Sequence, residues 1–216
     1  MIRRPRLPGR WMVGGVGGLG AGALVAAVAT IAVSAAAYYD HANMNLGMDG
    51  IGSNNRFDIA VVKADDTVIQ ADAPAGVNWA IPGSDKLVPG RSVTTDIPVF
   101  NNSPALGADV VMTVLADGDG SVGTAPNITS LLLFSAELSD GTSLFSEVSL
   151  AQASASMGTL VARGADALEE GDAYTPGEAG SEEVVTLTVA YPDENGVEDY
   201  NGGQSALRIR FDAESA

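Results

Sequence analysis

Short segments of alternating apolar and polar residues, separated by turn residues, are the feature of this sequence that most restricts its fold. The closing segment "QSALRIRFDA" shows the pattern clearly. Leu207, Ile209 and Phe211 fall on one side of an extended chain, and Arg208 and Arg210 fall on the other. A period of two residues is typical of a strand that has one face in a core.

The same pattern predicts further strands along the chain. They are expected at Arg56–Ala64, Ser92–Phe100, Ala108–Ala116 and Ile128–Leu138, and in "EVVTLTVAYP". We expect "NNSPALG" to join the second and third of these as a hairpin-like loop, and one short helix near Ser149–Met157, where alanine is frequent. Many short strands with few helical periods predict an all-β fold, a jelly-roll-like antiparallel β-sandwich.

The charge balance restricts the partners. The chain has 11 basic and 27 acidic residues, and four arginines stand in the first ten positions, before any acidic residue. After Ala37 the net charge is therefore −20. A body this acidic repels phosphate backbones and anionic lipid surfaces, so we expect no nucleic-acid partner. The chain has no cysteine, which excludes disulfides, thiolate metal sites and cysteine nucleophiles.

The N-terminal segment predicts export. "MIRRPRLPGR" is a positive region, and no charged residue occurs from Trp11 to Ala37. That length suits a membrane anchor, which needs roughly 20 apolar residues. Small residues at its end favour cleavage instead, before Ala37 or before Tyr38. The candidate cleavage residues are Ser34, Ala35, Ala36, Ala37 and Tyr38. Everything after residue 37 is expected outside the cell on either interpretation, with membrane contact only through an uncleaved signal.

Three regions follow from these boundaries. Residues 1–37 form the signal peptide, residues 38–55 a flexible arm rich in glycine and asparagine, and residues 56–216 the β-sandwich domain. The arm, alone or with the strand Phe57–Lys63, is expected to pair with the sheet edge of a neighbouring subunit. Its assembly residues would then be Tyr38, Tyr39, Phe57, Ile59 and Val61.

Four segments resemble the TasA/camelysin family of exported Gram-positive proteins. "LVPGRSVTTDIPVFNNSPALGADVVMTV" (Leu87–Val114) resembles its signature of an L-x-P-G turn, a strand, x-N-N-x and another strand. "AAAYYDHANMN" resembles the site where a SipW-type signal peptidase cuts, "NNRFDIAVV" the first mature strand, and "YNGGQSALRIRFDAESA" the closing strand. No family motif covers Asp117–Glu183. The resemblance implies a jelly roll, processing by that peptidase, and a secreted subunit of extracellular fibres or biofilm matrix.

The sequence has few residues of the types that catalysis or metal binding requires. The camelysin branch is described as metallopeptidases, but the single histidine, His41, lies in the arm, and no H-E-x-x-H motif occurs. We therefore expect no enzyme and no cofactor. Asp117 and Asp119 stand in a "DGDGS" turn that fails the EF-hand pattern, so only weak calcium binding is considered there. Trp79 is interpreted either as an exposed glycan or subunit contact or as a plug at one end of the sandwich.

Three functions remain open on the sequence. The first is a fibre or matrix subunit that self-associates into filaments. The second is a monomeric surface module that binds cations or glycans through the acidic loops and Trp79. The third is a camelysin-like peptidase.

Overall fold

Strands dominate the part of the chain that the structure, a computed structural model, describes: residues 57–73 and 76–216. The nine strands in these residues are β1 (Ile59–Val62), β2 (Val68–Ile69), β3 (Arg91–Asn101), β4 (Ala108–Ala116), β5 (Leu133–Leu138), β6 (Ser143–Val148), β7 (Ser154–Leu160), β8 (Glu182–Tyr191) and β9 (Leu207–Ser215). Four short 3₁₀ helices lie between them, at Ser84–Lys86, Thr129–Leu131, Leu150–Gln152 and Val197–Tyr200. The predicted all-β fold is confirmed.

The strands form two antiparallel sheets. The first sheet has six strands in the order β2-β1-β3-β8-β5-β6, and the second has three in the order β7-β4-β9. One apolar core is shared by both sheets. Phe134 and Leu187 enter it from the first sheet, and Val110, Met112 and Val114 enter it from the second. The alternating burial of these strands explains the arrangement, because every second side chain points to the partner sheet.

The predicted strands agree well with the observed ones. β4 occupies the predicted range, Ala108–Ala116, and β3 extends the predicted Ser92–Phe100 by one residue at each end. β1 lies within its predicted segment, β8 begins one residue before the segment predicted for it, and β9 ends two residues after its segment. The segment Ile128–Leu138 begins with a 3₁₀ turn and becomes strand β5 only at Leu133.

The hairpin expected between β3 and β4 is wrong. The two strands lie in different sheets: β3 pairs with β1 and β8, while β4 pairs with β7 and β9. Both edges of β3 are thus already paired. The "NNSPALG" segment carries the chain from one sheet to the other, and its first three residues are completely buried instead of forming an exposed turn.

The helix expected near Ser149–Met157 is also wrong. Only Leu150–Gln152 forms a single 3₁₀ turn, and Ser154–Leu160 is strand β7. Ala153, Met157 and Leu160 are buried in the main core while β7 pairs with β4. Pairing and burial against β4 therefore override the helix preference of the alanines, which is weak over so short a segment.

Candidate functional site

A cluster of buried polar residues lies where β3 ends and the chain crosses between the sheets. We call it the polar corner: Asp58, Asn101, Asn102, Ser103 and Arg163. Asn101, Asn102 and Ser103 are 0% exposed, and Arg163 is 2% exposed. Buried polar groups on this scale destabilise a fold unless they are hydrogen-bonded, so their partners decide what the cluster does.

Asn101 connects the crossing loop to the end of β7. Its Nδ2 donates to the carbonyl oxygens of Leu106 at 2.7 Å and Val161 at 2.9 Å, and more weakly to that of Leu160 at 3.3 Å. Its Oδ1 accepts a hydrogen bond from the backbone N–H of Ser103 at 2.9 Å. One amide thus satisfies backbone groups from two loops.

Asn102 connects β1 to the β7–β8 segment, by which we mean residues 161–181. Its Nδ2 donates to Oδ2 of Asp58 and to the carbonyl oxygen of Leu168, both at 2.8 Å. Its Oδ1 accepts from the backbone N–H of Leu168 at 2.8 Å. Ser103 completes the connection, because its Oγ accepts from the backbone N–H of Asp58 at 2.8 Å.

Arg163 organises the β7–β8 segment from inside. Its Nε donates to the carbonyl oxygen of Asp166 at 3.0 Å, and its Nη2 donates to the carbonyl oxygen and Oγ1 of Thr175 at 2.6 and 2.8 Å. The guanidinium carbon lies 5.7 Å from the centre of the Phe100 ring, within the range of a cation–π contact. Nη1 is buried and has no hydrogen-bond partner among the described residues.

A small second core lies under the same segment. Ala60, Val62, Val68 and Phe100 are buried in it, with Leu168 and Tyr174 packed against them. The rings of Phe100 and Tyr174 are 5.0 Å apart. Burial, together with the hydrogen bond that the Tyr174 hydroxyl donates to Glu182, raises the pKa of Tyr174 well above its usual range.

The polar corner holds loops of the chain together, because most of its hydrogen bonds join a side chain to a backbone atom and its residues are buried. Sequence reasoning identified the two asparagines only as part of a motif and missed Asp58 and Arg163. A signal for Arg163 was present: it is the only basic residue between Arg91 and Arg208, in a chain with 27 acidic residues.

The two aspartates of the "DGDGS" turn interact with other residues of the same chain. The carboxylate of Asp117 lies 3.4 Å from Nη2 of Arg208, and Oδ1 of Asp119 accepts from the backbone N–H of Ser121 at 2.9 Å. That backbone hydrogen bond is the main reason why the pKa of Asp119 lies below its usual value. Within the described residues, no group of three or more His, Asp or Glu side chains is placed to hold a metal ion.

Trp79 is attached to the sandwich. Its Nε1 donates to Oγ1 of Thr95 at 3.1 Å, and its ring packs against the main core. This placement supports the interpretation of Trp79 as a plug, and not as an open platform for a glycan. A groove of about 420 Å³ opens nearby along residues 82–94, where Lys86 and Arg91 lie beside Leu87, Val88 and Val93.

The predicted assembly and cleavage residues divide into two groups. Phe57, Ile59 and Val61 are half-buried and pack against the main core. The rest lie outside the described residues: Ser34, Ala35, Ala36, Ala37, Tyr38 and Tyr39. His41, the single histidine, also lies outside them. Within residues 57–73 and 76–216, no helix has the length and apolar character needed to cross a membrane.

Neither a scan against models of known protein families nor a search of curated proteins finds a match to this chain.

Proposed function

We propose that this protein is an exported structural subunit that assembles into extracellular fibres or matrix after its signal peptide is cut. The observation that carries the proposal is a sandwich with strand edges left open: within the described residues, β6 and β9 are each paired with another strand on one side only. An edge strand presents unpaired N–H and C=O groups to which another chain can add a strand. Such a contact is made through the backbone and needs no ligand pocket.

The path of the chain supports assignment of the sandwich to the jelly-roll class. The chain passes from one sheet to the other after β3, after β4 and again after each of β6, β7 and β8. Repeated crossing of this kind is typical of double-sheet jelly rolls. It agrees with the fold implied by the resemblance to the TasA/camelysin family.

The arm, residues 38–55, is the proposed connector between subunits. β1 is a poor donor, because Ala60 and Val62 are buried in the second core while Ile59 and Val61 pack against the main core. Removing β1 from its own sheet would expose apolar surface on both faces. The arm precedes β1 directly, so it can reach a neighbour while β1 stays in place. The contact is heterologous and therefore propagates as a filament.

Electron microscopy of two purified chains tests this function. One chain begins at Tyr38 and the other at Asn54, so they differ only by the arm. We expect filaments from the first and a folded protein without filaments from the second, and we expect a free arm peptide, but not its scrambled control, to stop filament growth. Filaments from the Asn54 chain at the rate of the longer chain would rule out the arm as connector. The absence of filaments from both chains would rule out the fibre function.

A second candidate is a monomeric surface module, favoured by the groove along residues 82–94. Lys86 and Arg91 line this groove, and neither forms an ion pair with any described residue. An open groove with two cations would suit a carboxylated glycan. Binding of uronic-acid oligosaccharides by a chain that forms no filaments, and its loss in Arg91→Ala, would favour this candidate.

A further inference from the structure

The four edge strands of the two sheets differ in how well they are protected. β2 has two residues, and its edge is occupied by the β7–β8 segment: the backbone N–H of Val68 donates to the carbonyl oxygen of Asp172 at 2.9 Å. The β5–β6 register is interrupted twice, and Glu147 in β6 has a positive φ of 51°. The β4–β7 register shifts between Val110 and Val111, at a bulge in β7 between Ser156 and Gly158. Short or bulged edges are the usual protection against unwanted strand pairing.

β9 lacks these protections. It pairs with β4 over nine consecutive residues without a register shift. In the described part of the chain, no strand pairs with its other side. A long, regular edge of this kind leaves a row of backbone N–H and C=O groups available for pairing with another strand.

The sequence of β9 is complementary to itself when reversed. If a second β9 runs antiparallel and the two Phe211 residues face each other, then Arg210 faces Asp212 of the second copy, and Arg208 faces its Glu214. On the core side, Ile209 faces Ala213. Each charged pair occurs twice because the arrangement is symmetric. Opposite charges directly across two antiparallel strands stabilise their pairing, whereas like charges oppose it.

Contacts within one subunit favour the same arrangement. Glu214 lies opposite Asp109 of β4, which places two negative charges side by side. Arg208 of a second copy would stand on the other side of Glu214 and offset this repulsion. Arg210 already lies 2.8 Å from Asp212 of its own strand, with both side chains more than half exposed. In the pair, these residues would form a ring of two arginines and two aspartates.

We propose that β9 is a symmetric interface with a second copy of this chain, in which β9 pairs antiparallel with β9 about Phe211. The two three-stranded sheets then form one continuous sheet of six strands. The contact is isologous and closes on itself, so it joins two subunits or, between filaments, holds them side by side. It does not depend on the fibre function, because it uses neither the arm nor β1, and of the two open edges named above it leaves that of β6 for the arm.

Charge exchange at the centre of β9 tests the interface. In Arg210→Asp, two attractive pairs become Asp–Asp pairs, and in Asp212→Arg they become Arg–Arg pairs. We expect each variant to dimerise at least about tenfold more weakly than the parent chain. An equimolar mixture should recover the dimer, since positions 210 and 212 then carry opposite charges wherever one variant faces the other. Sedimentation of the chain that begins at Asn54, which keeps both sheets and both cores but lacks the arm, measures this over a concentration range at about 0.15 M salt.

Two controls carry the same charge changes elsewhere. Arg91→Asp and Glu137→Arg alter exposed residues of β3 and β5 in the other sheet, and they should dimerise like the parent chain. Circular dichroism checks that every variant is folded. A parent chain that stays monomeric would overturn the proposal, as would a mixture no more dimeric than its separate components.

Cysteine cross-linking tests the register, in a chain that has no cysteine of its own. Position 210 of one copy faces position 212 of the other, at a Cβ separation of about 5 Å, whereas two residues at position 210 lie diagonally at about 7–8 Å. A mixture of Arg210→Cys and Asp212→Cys should therefore form a disulfide much faster than either variant alone. Equal rates in all three samples would exclude this register.

Discussion

At the scale of single residues, the asparagines of the polar corner are fully buried and hydrogen-bonded, so we expect them to tolerate replacement poorly. Asn101→Ala removes three hydrogen bonds to carbonyl oxygens and one from the N–H of Ser103, of which two are buried and two are part-buried. Because Asn101 itself is fully buried and the groups it leaves are poorly placed to find new partners, we expect the free energy of unfolding to fall by about 3 kcal/mol. Urea denaturation measures the change. Asn195→Ala, at an exposed loop position, should change it by less than about 0.5 kcal/mol.

A loss in Asn101→Ala as small as that in Asn195→Ala would mean that the polar corner contributes little to folding. The sequence alone did not indicate such a role. "NNSPALG" has the composition of an exposed turn, and composition does not reveal that the segment crosses between two sheets. Asn101 and Leu160 are 59 residues apart in sequence, so only the assembled fold brings them together.

At the scale of elements, Tyr174 packs the β7–β8 segment against the first sheet. The pKa of its hydroxyl is raised above the ordinary value of 10, first by burial and then by the hydrogen bond to Glu182. The folded protein therefore keeps a proton that the unfolded chain releases near pH 10. The resulting stability is complete below pH 10 and is lost as the pH rises above it.

We predict that Tyr174→Phe weakens this alkaline loss of stability. The phenyl ring retains the contact with Phe100 but has no proton to lose. Urea denaturation between pH 7 and pH 11 measures the slope. Burial also raises the pKa of Tyr191, so the double variant with Tyr191→Phe should be flatter still. A slope unchanged in Tyr174→Phe would show that the segment does not hold the hydroxyl in its neutral form.

The elements also show where sequence reasoning succeeds and where it stops. β4 and β9 were predicted because alternation is a local property: every second residue of β4 is buried, from Ala108 to Val114. β7 was missed because small residues such as Ala153 and Ala155 carry little periodic signal, and its pairing with β4 is decided over a long distance. The self-complementarity of β9 is present in the sequence, but it gains meaning only once β9 is known to be an edge.

At the scale of the whole molecule, charge opposes association. Each chain carries a net charge of −20 after Ala37, so two bodies repel each other at long range. The proposed β9 contact works at short range through arginine–carboxylate pairs. Salt weakens both effects, but the long-range repulsion falls first, because the Debye length shrinks from about 30 Å at 0.01 M to about 10 Å at 0.1 M.

We therefore predict that filament assembly at pH 7 becomes faster as salt is raised from about 0.01 M to about 0.15 M. Acid and divalent cations should act in the same direction, since protons and bound cations reduce the net charge. Light scattering follows the rate, and electron microscopy identifies the product. A variant with Asp72→Asn, Asp85→Asn, Asp193→Asn and Glu194→Gln removes four exposed charges and should assemble faster at low salt. Equal rates for both chains at every salt concentration would show that the acidic surface does not control assembly.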